Sequence, residues 1–139
     1  MRNIGLVLLC LLATTALAAT TPRTPSPKGA EVYIISPKDG DTVRSPVVIR
    51  LGLKGMGVAP AGAQFANTGH HHLLINTTYT TMDRSIPRDD RHIHFGGGQT
   101  EAEVTLPAGR YRLQLLLGDY LHVPHNPPVM SKPITVTVK

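Results

Sequence analysis

All seven histidines of this 139-residue chain lie between His70 and His125. They form three short groups, at residues 70–72, 92–94 and 122–125. Imidazole is the commonest protein ligand for a transition metal and the side chain whose charge changes nearest neutral pH. Three such groups in one small domain indicate either a metal site or a buried polar network.

Two of the groups have the spacing at which a β-strand presents two side chains on one face. Residues i and i+2 of a strand lie about 7 Å apart on the same face, so their imidazoles can reach one ion at about 2.0–2.1 Å per nitrogen. His70 and His72 have this spacing, as do His92 and His94. His71 is then expected on the opposite face, buried in the core, with one ring nitrogen bonded to a backbone carbonyl.

The third group, His122 and His125, lies among prolines that restrict the backbone, as a preorganised site requires. Asp119 precedes it and could accept an N–H from a liganding imidazole, which would fix the tautomer of that ring. It could equally cap the turn after Gly118. Met130 follows the group, and its thioether is a ligand that favours copper. The predicted ligand pool is His70, His72, His92, His94, His122, His125 and Met130.

Composition narrows the choice of metal. The sequence has no cluster of carboxylates of the kind that binds calcium or magnesium. Its single cysteine, Cys10, argues against a structural zinc site built from thiolates. A site made of imidazoles fits a copper ion best and zinc second, because affinity in the divalent series peaks at Cu(II).

The first residues have the pattern of an export signal, predicted to span residues 1–18. Residues 1–3 carry a positive charge, residues 4–12 are apolar, and Ala16-Leu17-Ala18 is a small-x-small cleavage signal. The apolar run is too short to remain as a membrane anchor. We expect cleavage after Ala18, or alternatively after Ala19. The mature protein would then be periplasmic or secreted, and stabilised without disulfides.

The rest of the chain predicts one all-β domain. Residues 19–30 are rich in Pro and Thr and are expected to form a linker, and residues 31–139 to form the domain. The chain has 13 Gly and 12 Pro and no sustained helical period. This pattern predicts an immunoglobulin-like β-sandwich of about seven short strands with two long loops.

Individual elements follow from alternation and turn signals. Strands are predicted at residues 32–35, 47–53, 71–76, 100–106, 111–117 and 134–138. Residues 77–91 are expected to form a polar connection that faces solvent. Tyr111 enters its strand just after a turn at Gly109, which is the position of the tyrosine corner in immunoglobulin-like domains.

Charge and motifs argue against two classes of function. The formal net charge is +5, but the basic residues are scattered singly, which argues against nucleic-acid binding. Catalysis is not indicated, since no Gly-x-Ser-x-Gly nucleophile elbow is present. The stretch from His92 to Gly96 resembles the His-x-His…Phe-Gly stretch of copper–zinc superoxide dismutases, which are also β-sandwiches. The mature chain lacks the cysteine pair of these enzymes, so a dismutase-like copper enzyme is the least favoured hypothesis.

Three separated motifs resemble a bacterial exported family catalogued as domain of unknown function 4399. They are Gly69 to Ile75, then His94 to Glu101, then Leu115 to Asp119 followed by His122, His125, Pro127 and Pro128. The resemblance runs from about Val32 to Val138. It implies export and a small β domain in which the histidine motifs belong to the family pattern, and it implies no particular ligand.

Two hypotheses of function follow. The first is an exported metal-binding β-sandwich, most simply a copper carrier or sequestration protein that exchanges metal with another periplasmic protein. The second is an adaptor module without metal, in which the histidines, Gln99, Asp119 and Asn126 form a hydrogen-bonded network that holds the two long loops.

Overall fold

Nine β-strands build the part of the chain that the computed structural model describes, residues 22–139. The predicted export signal, its cleavage site and Cys10 lie outside these residues. The strands are β1 (Glu31–Ser36), β2 (Thr42–Val43), β3 (Val47–Lys54), β4 (Gly57–Val58), β5 (Thr68–Ile75), β6 (His92–His94), β7 (Glu101–Val104), β8 (Gly109–Gly118) and β9 (Ile134–Val138).

The strands form two sheets that pack against each other. One has three strands in the order β1-β3-β7. The other has six, in the order β2-β9-β8-β5-β4, with β6 paired to β5. The described residues contain no helix, and therefore none that could cross a membrane. The predicted all-β sandwich is confirmed.

The core between the sheets follows from the alternation of side chains along each strand. Ile49 and Leu51 of β3 belong to one buried cluster with Leu73 of β5 and with Leu113 and Leu115 of β8. These side chains lie at alternate positions, as expected for strands with one face toward a core. The first sheet leaves its other face in solvent, whereas the second sheet does not.

The six-stranded sheet is buried on its outer face as well. There Leu74 and Leu116 pack with Tyr79 and Ile86, which come from the connection between β5 and β6. The prediction that residues 77–91 face solvent is therefore wrong at Tyr79 and Ile86. The side chains of Tyr79 and Ile86 hold this largely polar segment against the sheet. They cover the outer face, which is therefore a second buried region.

The tyrosine corner predicted at the start of β8 is present. The hydroxyl of Tyr111 donates a hydrogen bond of 2.8 Å to the backbone oxygen of Pro107, four residues upstream. This bond fixes the entry into β8, which pairs with β5 from Leu113 opposite Ile75 to Gly118 opposite His70. The register between these two central strands decides which side chains meet on the outer face.

The Pro- and Thr-rich stretch that follows residue 21 lies against the loop between β8 and β9. The N–H of Ser26 donates to the oxygen of Asn126, and the N–H of Asn126 donates to the oxygen of Thr24. Composition gave no sign of this attachment, because it uses backbone groups rather than apolar side chains.

Replacing the fully buried Leu115 by Ala should lower the free energy of unfolding by about 2–5 kcal/mol, because it removes apolar contacts and leaves a cavity. Val48→Ala is the matched control, since Val48 lies on the solvent face of β3 and is 39% exposed. Urea unfolding of both variants measures the difference. A loss for Leu115→Ala no larger than that for Val48→Ala would contradict the assigned core.

Candidate metal centre

Four histidines converge on the outer face of the six-stranded sheet, and we call them the four-histidine cluster: His70, His72, His94 and His122. His70 and His72 lie two residues apart on β5, and His94 lies on β6 directly opposite His72. His122 comes from the loop that follows β8. The centroids of the four rings lie between 4.7 and 6.0 Å apart in all six pairs.

This spacing is close to what a single tetrahedral metal ion would require. Nitrogens at about 2.0–2.1 Å from such an ion place the centroids of their rings about 5 Å apart. One ring nitrogen from each of His70, His94 and His122 already lies within 4.8 Å of the other two. His72 completes the cluster at a longer distance, 6.0 Å between its ring centroid and that of His122. The arrangement can hold one ion with three imidazoles and offers a fourth.

Five imidazole nitrogens of the cluster are buried without hydrogen-bond partners. His70 and His72 are 0% exposed, and neither ring nitrogen of either residue has a partner, nor has Nε2 of His94. In residues 22–139 every buried side-chain nitrogen or oxygen that lacks a partner is an imidazole nitrogen. A buried polar atom left unpaired costs about 1–3 kcal/mol. A cation that accepted one lone pair from each ring would offset part of this cost.

Burial also favours the neutral, metal-binding form of His70, His72 and His94. Desolvation, and after it the neighbouring imidazoles, lowers the pKa of His70 from 6.5 to about 4 and that of His72 to about 2. The pKa of His94 is lowered as well, by burial first and then by His122 and Arg88. A neutral imidazole offers a lone pair, so at His70 and His72 protons compete with a metal only at a pH well below the usual histidine range.

Two glycines leave the space into which the rings fit. A Cβ at Gly118 would lie 2.6 Å from Cε1 of His72 and 3.3 Å from the Cα of His122. A Cβ at Gly96 would overlap the ring of His94. Side chains at either position would therefore push the cluster apart. The role of Gly118 could not be predicted from the sequence, because the glycine and the ring of His72 that it accommodates lie on different strands.

The backbone of His122 has a conformation that few residues other than glycine adopt, with φ at 67°. Asp119 holds it there. The N–H of His122 donates to the backbone oxygen of Asp119 at 2.8 Å. The Asp119 carboxylate accepts the N–H groups of Leu121 and Val123, each at 2.9 Å. Of the two roles considered for Asp119, the structure supports capping the turn, and no imidazole N–H donates to its carboxylate.

His92 lies on the same face of β6 as His94 but outside the cluster. Across the strands it pairs with Leu74 rather than with a histidine. Its Nδ1 is 2.8 Å from Oδ1 of Asp89, and its ring centroid lies 6.3 Å from that of Tyr79. His92 therefore supports the connection that covers the sheet.

His125 and Met130 also lie away from the cluster. His125 is fully buried, and its Nε2 is 3.1 Å from the backbone oxygen of Thr68. Met130 is 39% exposed and forms a backbone bridge with Leu116. The structure therefore brings together four members of the predicted ligand pool and separates the other three.

His71 faces the core between the sheets, as predicted, and is fully buried. Neither of its ring nitrogens has a hydrogen-bond partner, so the predicted bond to a backbone carbonyl is wrong. The network expected for an adaptor module does not form either. The side-chain oxygen of Gln99 accepts the N–H of Gly97, and Asn126 bonds through its backbone.

The stability of the metal-free protein should fall as the pH is lowered through the histidine range. His70, His71 and His72 take up protons near pH 6.5 when unfolded but only at about pH 4 or below when folded. The unfolded state binds more protons between these values. The free energy of unfolding should therefore drop by up to about 1.4 kcal/mol per pH unit for each residue.

His71→Leu tests this relation without touching the cluster, because His71 lies on the opposite face of β5 among leucines. The slope of the free energy of unfolding against pH should be smaller for the variant by the contribution of one histidine. Urea unfolding between about pH 7 and pH 5 measures this slope. Identical slopes for both proteins would show that His71 is not buried in its neutral form.

The chain was compared with known families, curated proteins and solved structures. It matches none of the curated proteins and none of the solved structures. A family model described as domain of unknown function (DUF4399) matches residues 49–139, a stretch that begins within β3 and includes β4 to β9 and all seven histidines. Because this match covers more than half of the chain, the protein belongs to the DUF4399 family.

Proposed function

We propose that this protein is an exported metal-binding protein whose four-histidine cluster holds one transition-metal ion. The observation that carries the proposal is the convergence of four imidazoles whose ring centroids lie within 6.0 Å of one another. Five buried nitrogens of His70, His72 and His94 have no hydrogen-bond partner. Export is inferred from the leader pattern of residues 1–18 and from the resemblance to an exported family.

Copper is the metal we favour, with zinc second. The cluster contains nitrogen donors only, and nitrogen sites bind Cu(II) more tightly than other divalent ions of the first transition row. The position of Met130 outside the cluster removes the thioether as support for Cu(I). The near-tetrahedral spacing of the rings also suits zinc, so the two ions must be compared directly.

Carriage or sequestration agrees with the uneven burial of the cluster. His70 and His72 are fully buried, whereas His94 and His122 are only partly buried. An ion would therefore enter and leave past His94 and His122. A site with one accessible side can exchange its ion with a partner protein in the periplasm, whereas an ion enclosed by buried side chains on every side has no route out.

The first test is a metal titration of the mature, untagged protein. We expect one equivalent of Cu(II) per chain, with Zn(II) bound more weakly. His94→Ala and His122→Ala should each weaken binding by at least about 100-fold, since loss of a ligand should exceed the 10–100-fold typical of residues that only support one. Both side chains are partly exposed, so both variants are expected to fold.

His92→Ala and Met130→Ala are the controls for this test. Both residues belong to the ligand pool predicted from sequence, but both lie outside the cluster. The affinity of each variant for the metal should therefore stay within about threefold of the wild type. If His92→Ala weakened binding as much as His94→Ala, the four-histidine cluster would not be the site. Weak binding of every ion would overturn the proposed function.

Gly118→Ala tests the geometry without removing a ligand. The added Cβ would crowd the ring of His72 and the backbone of His122, so the affinity for metal should fall by about 10–100-fold. Gly57→Ala is the matched control, because its Cβ would meet only Cγ2 of Thr68, at 3.4 Å. Equal affinities for the two variants would contradict the placement of His72 and His122.

A further inference from the structure

We infer that residues 23–26, which we call the N-terminal strap, position His122 for metal binding by acting through Asp119. The inference rests on the proposed function, because it concerns one ligand of the proposed site. It assigns a role to a segment that composition identifies only as a linker.

The first contact is a hydrogen bond between side chains far apart in the sequence. The hydroxyl of Thr24 donates to Oδ2 of Asp119 at 2.6 Å. Asp119 is 1% exposed, and a buried carboxylate needs donors to replace the water it has lost. Its other oxygen is occupied by the N–H groups of Leu121 and Val123. Within the described residues, Thr24 supplies the one side-chain donor to this carboxylate.

The strap also bonds to the loop on the far side of His122. The guanidinium of Arg23 donates to the backbone oxygen of Pro124 at 3.0 Å and to that of His125. Ser26 bonds through its backbone N–H to Asn126 at 3.1 Å. The strap therefore holds the loop at Asp119 and again at residues 124–126. His122, with its left-handed backbone, lies between these two attachments.

Hydrogen bonds rather than apolar packing hold the strap in place. It borders an open cavity of about 470 Å³, whose lining includes Arg23, Thr24 and Phe65. Phe65 is 68% exposed, so it gives the strap little apolar cover. Loss of a single donor should therefore loosen the attachment, while the core between the sheets stays intact.

Asp119 also acts on the cluster through its charge. Its carboxylate opposes the fall in the pKa of His70, so its negative charge is felt by a ligand on β5 as well as by the loop. The same charge would attract a bound cation. A strap that fixes Asp119 thus sets both the backbone of His122 and the position of a negative charge that acts on His70.

The test compares Thr24→Val, which removes the hydroxyl at nearly constant volume, with Thr24→Ser, which keeps it. In the mature, untagged chain, Thr24→Val should weaken Cu(II) binding by about 10–100-fold, and Thr24→Ser should stay within about threefold of the wild type. Competition with chelators of graded affinity measures both values.

A double-mutant cycle with His122→Ala separates positioning from a general loss of stability. If the strap acts through His122, Thr24→Val should have almost no further effect once His122 is absent. An equal loss of affinity in both backgrounds would overturn the inference, as would unchanged affinity of Thr24→Val in the wild-type background. In both cases the proposed function would stand, because the wild type would still bind. Absence of Cu(II) binding by the wild type itself would overturn the proposed function and the inference together.

Discussion

The burial of imidazole rings without hydrogen-bond partners is the constraint on which the rest of this structure depends. His70 and His72 are fully buried, and all four of their ring nitrogens are unpaired. Each unpaired atom costs about 1–3 kcal/mol of stability. A fold that keeps this arrangement needs a compensating interaction. A metal ion that accepted one lone pair from each ring would supply part of it, and burial keeps these rings in the neutral form that such an ion requires.

The sandwich creates this environment because its six-stranded sheet is covered on both faces. Alternation along β5 places His71 in the main core and His70 and His72 on the outer face, where Tyr79 and Ile86 anchor the covering connection. The loop after β8 then brings His122 over the sheet. Each part is ordinary in a β protein, and the site arises where strand, covering connection and loop meet.

The fold and part of the site could be predicted from the sequence. The i, i+2 spacing separated His71 from its two neighbours, and the turn at Gly109 predicted the tyrosine corner. The sequence alone does not show whether His92 or His94 belongs to the cluster, because both share a face of β6. Only the register with β5 places His94 opposite His72. The attachment of the strap could not be predicted either, since its hydrogen bonds join residues about 100 positions apart and leave no local pattern in the sequence.

X-ray absorption spectroscopy of the copper-loaded, untagged protein tests the central claim most directly. We expect three or four nitrogens at about 2.0 Å from the copper, with the outer-shell scattering of imidazole rings. We expect no sulfur at about 2.3 Å, because the cluster contains no methionine. A shell that contains sulfur, or one made of oxygens without imidazole, would contradict the assignment of the four-histidine cluster as the metal site.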